Sequence, residues 1–527
     1  MTERSLSSMT QKPNFIIIHT DQQRYDCVGV AGRRTGIYTP YIDSIAYQGA
    51  NFTNCYASCP LCIPQRLSLL TGQTPSHHGL FSNTGIPYLP LETTLPTEMR
   101  RGGYETALVG RTMHTYPFHF SYGFEYYLPG DPSSEFKEST DAFFTFLREN
   151  SPREAGGYYG GGPHNNSRAA GPFHLPDEFH QTKWATNRAI DFLDRRDTAR
   201  PFMLFVGYYA PHSPHNPPAE YFNRYYARED LDDPAIAPYD IPPVSSGNVM
   251  SRYVNLKGED LRAARAGYYG NIAFLDSQVG RILERAMRFP NTYVIFTSDH
   301  GELLGDHYMY QKSRPYEGAS HIPFMIMGPG IPDSQQIENP VTWEDIMPTI
   351  LELAGLPIPA SVDGRSMKRL LTEGRDPGWR TYMHGESVHT FMGCARTKPS
   401  SDQLNLFYEE GAHYLTDGKT KYIWHITSGT EQLFDLTTDW KENCDLAPES
   451  DHLKELELWR GRLIKELADR EEGFSDGKTL IPGKKPRLIS SSMEKLKEQR
   501  LKEGFKIAYS RSKTPQPDLS AVTRLLQ

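Results

Sequence analysis

The sequence predicts an α/β fold built on a mostly parallel sheet, followed by a smaller α+β unit. Three observations lead there. Short apolar, β-branched runs recur along the first two thirds of the chain, most of them ending in charged or turn-forming residues. Segments of helical periodicity lie between them, the alternation expected of a sheet covered on both faces. After Gly364 the pattern shifts to closely spaced short strands, as in an antiparallel sheet.

In order, Asn14–Asp21 (NFIIIHTD) is the first buried strand, and its partners are Thr106–Arg111 (TALVGR), Phe202–Tyr209 (FMLFVGYY), Thr292–His300 (TYVIFTSDH) and Phe324–Gly330 (FMIMGPG), all expected to be parallel. Helices are expected over 182–195, 259–288 and 344–355. The stretch 151–180, rich in Gly, Pro, His and Asn, predicts a long surface loop, and the proline- and aromatic-rich residues around 213–250 a rim over a binding site. Further on, 379–386, 404–408, 412–416 and 420–426 read as short strands. They are followed by Glu431–Leu436 (EQLFDL), a charged amphipathic helix near 452–470, and one more charged helix near 492–504 in a polar tail that wraps the body or stays mobile. The expected boundaries are 1–370 for the catalytic α/β domain, 371–475 for the α+β subdomain and 476–527 for the tail. In such sheets ligands bind outside the carboxyl ends of the strands, and Asp21, Arg111, Asp299 and His300 sit at those ends.

A chain of 527 residues with a formal charge of −8 and no long basic run argues against nucleic acid as the main partner. No apolar run approaches the roughly 20 residues that span a bilayer, and MTERSLSSMTQKPN lacks the apolar core of a signal peptide. The expectation is a cytoplasmic protein without a membrane partner. Six cysteines are too few for a disulfide scaffold at this length. Cys55, Cys59 and Cys62 cluster on a short loop, but no fourth ligand has zinc spacing.

Residues Cys62–Gly72 read CIPQRLSLLTG. Pro64 suits a first helical turn, Arg66 lies one turn after the cysteine, Leu67, Leu69 and Leu70 give an apolar face, and Gly72 ends the helix. Cys62 is thus placed at a helix N-terminus, where backbone N–H groups favour an anion. Taken alone, it reads equally well as a structural cysteine. The set Cys62, Pro64, Arg66, Thr71 and Gly72 resembles the signature of the type I sulfatases, in which the cysteine is oxidised to formylglycine and its hydrated aldehyde is the nucleophile. Gln65 departs from the small residue common there.

The resemblance extends in order along the chain, through Asp21-Gln22, Gly110–His114, His212, Asp299–Lys312 and the EQLFDL segment. It implies an alkaline-phosphatase-like sandwich. It also implies one divalent metal held by Asp21, Gln22, Asp299, His300 and the modified Cys62. Calcium is expected first, with manganese or magnesium as alternatives; a histidine ligand makes manganese, a transition ion, more plausible than an all-oxygen site would. Gln22 stands where the family often has Asp. As a catalytic set it implies Cys62, Arg66, His114, His212 and Lys312, with His212 protonating the leaving alcohol. Arg111 is expected to hold sulfate oxygens, although Arg replaces Lys and one extra residue separates it from His114. Asp306 and His307 read equally as loop-fixing hydrogen bonders. His321 and His384 are candidate contacts for the alcohol part of the substrate, or ordinary hydrogen bonders. The implied partners are a small-molecule or carbohydrate sulfate ester and, during maturation, a formylglycine-generating enzyme, with oligomeric state open. Two other readings stand beside sulfate hydrolysis: a phosphonate monoester or phosphodiester hydrolase with the same nucleophile, and a non-catalytic binder of sulfated ligands.

Overall fold

The computed structural model describes residues 12–505 except 35, 90, 115–119, 133–140, 153–155, 244–251 and 389–410. The strand expected at 404–408 lies outside the described residues. In chain order the strands are β1 (Asn14–Asp21), β2 (Gly49–Phe52), β3 (Cys55–Tyr56), β4 (Glu105–Gly110), β5 (Tyr126–Pro129), β6 (Phe202–Pro211), β7 (Thr292–Ser298), β8 (Phe324–Met327), β9 (Gln335–Ile337), β10 (Val341–Thr342), β11 (Met383–Val388), β12 (Gly411–Thr416), β13 (Thr420–His425) and β14 (Glu431–Asp435). The main sheet has eight strands in the order β5-β4-β6-β1-β7-β8-β2-β9.

Strand β1 shows why Phe15–Ile18 is apolar without a break. Its side chains alternate between two buried faces. Phe15 and Ile17 pack with Leu69, Leu70, Met347 and Ile350 from helices Cys62–Thr71 and Ile346–Leu353. Ile16 and Ile18 pack on the other face with Leu275 and Val279 of helix Gly258–Ala286 and with Ala185 of helix Gln181–Arg195. Burying one such branched side chain contributes about 1.5–3 kcal/mol, so the central strands form the most strongly held part of the sheet.

Strand β8 departs from expectation. It spans Phe324–Met327 and runs antiparallel to both β7 and β2. A parallel neighbour needs a crossover that returns the chain to the other end of the sheet. Residues 299–323 instead form no crossover helix, only a 3-10 turn at Asp306–Tyr308 and a one-turn helix at Glu317–Ser320, so the chain re-enters the sheet from the same end.

The second sheet, β11-β12-β13-β14, is antiparallel throughout. Ala412, Tyr414, Ile423 and Phe434 bury one face against Tyr56, Leu303 and Tyr316 of the larger unit. The other face packs on Trp459 and Leu463 of helix Leu453–Glu466. A buried charge cluster crosses this junction. Lys421 of β13 is 0 % exposed. Its Nζ donates to Pro315 O at 2.9 Å and Ser320 Oγ at 3.1 Å, and pairs with Glu317 at 2.8 Å and Glu442 at 3.1 Å. The rings of Tyr56 and Tyr414 lie 5.4 and 5.6 Å from it. Past the second sheet, Phe81 N donates to Leu488 O at 3.0 Å and Ser490 N to Gly79 O at 2.8 Å. Ile489 then packs on Ile63 and Leu67, so this part of the tail buttresses the helix that begins at Cys62.

Candidate active site

Helix Cys62–Thr71 starts without a side-chain cap at Leu61 and ends on Gly72 in the left-handed region (φ 67°). Gln65 stabilises the helix start. Its Oε1 accepts from Ser58 Oγ at 3.2 Å and Cys59 N at 3.1 Å, folding the approach loop back on the helix. Cys62 is thereby held at the first helical position, 5 % exposed.

Two strand ends meet it. Asp21 closes β1, Asp299 and His300 follow β7, and the ligand atoms of Asp21, Cys62, Asp299 and His300 all lie within 4.8 Å of one another. Arg66, one helical turn after Cys62, holds the acids in place. Its Nη2 donates to Asp21 Oδ2 at 2.7 Å and Asp299 Oδ2 at 2.8 Å, and its Nε to Asp299 Oδ2 at 3.0 Å. Arg111 Nε also donates to Asp21 Oδ2. The opposite oxygens turn inward. Asp21 Oδ1 is buried without a hydrogen-bond partner among the described residues, and Asp299 Oδ1 lies 3.6 Å from His300 Nε2 while accepting from the backbone N–H groups of Gln22 and His300. Nδ1 of His300 is 3.0 Å from the carbonyl of Gly301. That contact assigns the proton to Nδ1 and leaves the Nε2 lone pair facing Cys62 Sγ at 3.2 Å. An orphaned carboxylate oxygen, a second carboxylate, and an imidazole whose tautomer is fixed from behind are a donor set that fits one divalent cation. Gly301 is required there: a Cβ on it would stand 2.1 Å from Gly318 O.

The charges follow from this packing. Burial opposes ionisation of Asp21, yet Arg111 and Arg66 hold its carboxyl well below the usual range. Burial and Asp21 oppose a thiolate at Cys62, but Lys312 and His300 bring the thiol below its ordinary value. Burial also opposes a charged His300, but Asp299 and Cys62 together raise the imidazole above its ordinary value.

The other expected residues divide into those brought to the cluster and those placed elsewhere. Gln22, in the left-handed region (φ 74°), accepts from Lys312 Nζ at 2.6 Å through Oε1 and donates to Glu302 through Nε2. His212 donates its backbone N–H to Asp21 O at 3.0 Å, and its Nδ1 sits 2.7 Å from Ser213 O. Burial, with Lys312 adding to it, pushes the His212 imidazole well below its usual value. Arg111 lies over the Tyr209 ring at 4.2 Å and donates to Asp131 Oδ1 at 2.7 Å as well as to Asp21. Its geometry makes it a support for Asp21 before it is anything else. His114 Nε2 is 3.4 Å from the other oxygen of Asp131.

His321 and His384 are not brought to the cluster. His321 is sandwiched between Tyr25 and Tyr56 at 4.0 and 4.5 Å, with Nδ1 2.6 Å from Glu317 and Nε2 2.8 Å from Thr53 O. Both ring nitrogens are committed. His384 pairs with His413 at 3.0 Å in the second sheet, and burial lowers it to about 4. Asp306 and His307 fix loops, on Arg24 at 2.7 Å and Asp240 at 3.0 Å. Sequence reasoning missed His19, Glu302 and Asp131. His19 shares a strand face with Asp21 two residues on and is 3.9 Å from Asp299 Oδ2; the period of a strand was the available signal. Burial and Arg66 lower its imidazole to about 3.

A family profile described as Sulfatase matches residues 13–356. The chain belongs to the sulfatase family. All residues of the cluster fall inside that match, and a second profile, described as the C-terminal part of N-sulphoglucosamine sulphohydrolase, covers residues 305–457. The sulfatase is 35 % identical to an arylsulfatase of Clostridium perfringens over 495 residues, which is 90 % of this chain and 98 % of that protein. It is 29 % identical to a choline-sulfatase of Rhizobium meliloti, over 83 % of each chain. Among solved structures, a phosphonate monoester hydrolase of Agrobacterium radiobacter superposes with a TM-score of 0.71 at 26 % identity, covering 87 % of this sulfatase and 96 % of that chain. The sulfatase fold is thus an α/β sandwich with a large, mostly parallel sheet and a small antiparallel one. No helix among its described residues is long and apolar enough to cross a membrane.

Proposed function

We propose that this sulfatase hydrolyses sulfate monoesters with residue 62, matured from cysteine to formylglycine, as nucleophile. The cation is held by Asp21, Asp299, His300 and residue 62. The observation that carries the reading is the convergence of those four side chains at an uncapped helix N-terminus, with Asp21 Oδ1 lacking any other partner among the described residues. When bound, a divalent cation supplies Lewis-acid stabilisation of a sulfuryl oxygen and favours the ionised nucleophile. Calcium is the first choice by family, the imidazole ligand keeps manganese in play, and metal analysis decides between these and magnesium.

The chain's own residues do the rest. Arg66 fixes both acidic ligands, and Arg111 fixes Asp21. Lys312, whose ammonium is held at the cluster's edge by Gln22 Oε1 at 2.6 Å, meets the charge of the sulfate group. His212, with Nδ1 committed to Ser213 O, presents Nε2 for proton transfer to the leaving oxygen. His114, steered by Asp131, is placed to take a proton when sulfate departs. Carbohydrate sulfates are one substrate class to screen, and maturation requires a formylglycine-generating enzyme.

Peptide mass spectrometry of protein matured with that enzyme tests the nucleophile: a mass fitting the aldehyde at position 62 is expected, and full activity with a thiol there would overturn the assignment. Asp299→Ala should lose metal occupancy and activity together, each by at least about tenfold. Metal analysis showing full occupancy would remove Asp299 from the ligand set. The likeness to the phosphonate monoester hydrolase, together with His300, supports a second reading, in which phosphonate monoesters or phosphodiesters are the better substrates. Rates on an aryl sulfate, an aryl phosphonate and an aryl phosphodiester, measured side by side, decide between the two.

A further inference from the structure

Segment Arg252–Val254 pairs with Tyr308–Tyr310, just before Lys312. Tyr310 N donates to Arg252 O at 2.7 Å, Val254 N to Tyr308 O at 2.7 Å, and Tyr253 bridges Met309. The pairing sets Arg252 opposite Tyr310, beside the backbone that Glu302 ties down through Gln311 N. Arg252 is half-buried, and its surroundings include both Glu302 and Cys62. Burial presses its guanidinium below the ordinary value, and those two groups only partly offset it.

No hydrogen bond or ion pair of the Arg252 guanidinium is found among the described residues. Four fully buried arginines differ. Arg24 meets Asp26 and Asp306, Arg66 meets Asp21 and Asp299, Arg111 meets Asp21 and Asp131, and Arg265 meets Asp232. A desolvated guanidinium is costly unless an anion faces it, and its planar fork matches a carboxylate or sulfate through two parallel bonds. Lys312 already serves the reacting group. The pairing opposite Tyr310 brings Arg252 to the segment that carries Lys312 two residues on.

We infer that Arg252 is a specificity-determining residue that binds a second anionic group, a carboxylate or a further sulfate, on the alcohol part of the ester. The preferred substrates are then sulfate esters of acidic alcohols. This rests on the sulfatase reading of the site.

The test compares matured wild type with Arg252→Gln and Arg252→Lys on 4-nitrophenyl sulfate and on its 3-carboxy derivative. Each variant is referred to wild type on the same ester, so intrinsic leaving-group reactivity cancels. Arg252→Gln should lose roughly 10- to 100-fold in kcat/KM on the carboxylated ester. On 4-nitrophenyl sulfate it should lose no more than about threefold, and Arg252→Lys should fall between wild type and the glutamine variant on the carboxylated ester. Binding gives a readout without turnover: wild type should bind 3-sulfobenzoate more tightly than benzenesulfonate by calorimetry, and Arg252→Gln should bind the two alike. Equal losses on both esters, or no loss on either, overturns the inference. The absolute rate of wild type on 4-nitrophenyl sulfate reports on the sulfatase reading, and the ratio between esters on Arg252, so the two failures are distinguishable.

Discussion

Cys62→Ala lowers kcat by about 10⁴- to 10⁶-fold, the cost of deleting a nucleophile from an otherwise intact site. The fold should tolerate the change. The residue is small, sits at a helix start, and makes one polar side-chain contact, at 3.2 Å to His300. Circular dichroism and the thermal midpoint of the variant should match wild type to within a few degrees, and Arg66 should still tie Asp21 to Asp299. A variant that kept a tenth of the wild-type rate would mean that residue 62 is not the nucleophile, whatever its modification state.

Lys421→Met is expected to be the most destabilising single change, by about 3–5 kcal/mol, because it leaves buried carboxylates without their cation. Glu317 and Glu442 both face Lys421, and Glu442 also accepts from Glu317 N at 2.6 Å. Burial dominates at Glu442 and pushes its carboxyl up to about 7, with Lys421 pulling down and Glu317 pushing up. The sign is therefore opposite to that of a typical salt-bridged acid. Where the folded value lies above the unfolded one, the native state holds the extra proton between the two. Stability from this group is full below about pH 4.5 and is lost as pH rises towards 7. Glu442→Gln, which mimics the protonated form, should cost little near pH 5 and gain on wild type progressively up to about pH 8. Urea unfolding at several pH values checks this, and a stability difference that does not vary with pH would place the proton elsewhere. In Lys421→Met/Glu442→Gln, with one charge removed from each side, part of the single-variant loss should return.

What could be read from the sequence was whatever depends on local pattern. Strand β1 announces itself because two buried faces leave Phe15–Ile18 without a polar position, and its end is marked by Asp21. Helix Cys62–Thr71 carries its own start and stop in Pro64 and Gly72. Asp299 and His300 are adjacent in sequence, so one strand end places both. Direction was not legible for β8, since a strand buried on both faces has the same composition whichever way it runs. Histidines were not legible either. His321 and His384 are as compatible with a cleft as with a ring stack, and only tertiary packing reveals Tyr25, Tyr56 and His413 as their neighbours. Arg252, Lys421 and Asp131 are single charged residues in ordinary surroundings, which read as solvated surface until the fold buries them.

The bridge that Arg66 makes between Asp21 and Asp299 bears on how the centre is assembled over the life of the protein. Arginine cannot shed its proton under physiological conditions, so a permanent positive charge stands behind the two acids at all times. Their mutual repulsion is neutralised from the rear, leaving the inward oxygens with nowhere to relax to. Charging the apoprotein with its ion is then closer to filling a socket than to closing a hand. Chelation should silence the enzyme while shifting its melting temperature by little, and re-addition of the ion should restore activity at the pace of diffusion and dehydration, with no refolding step between.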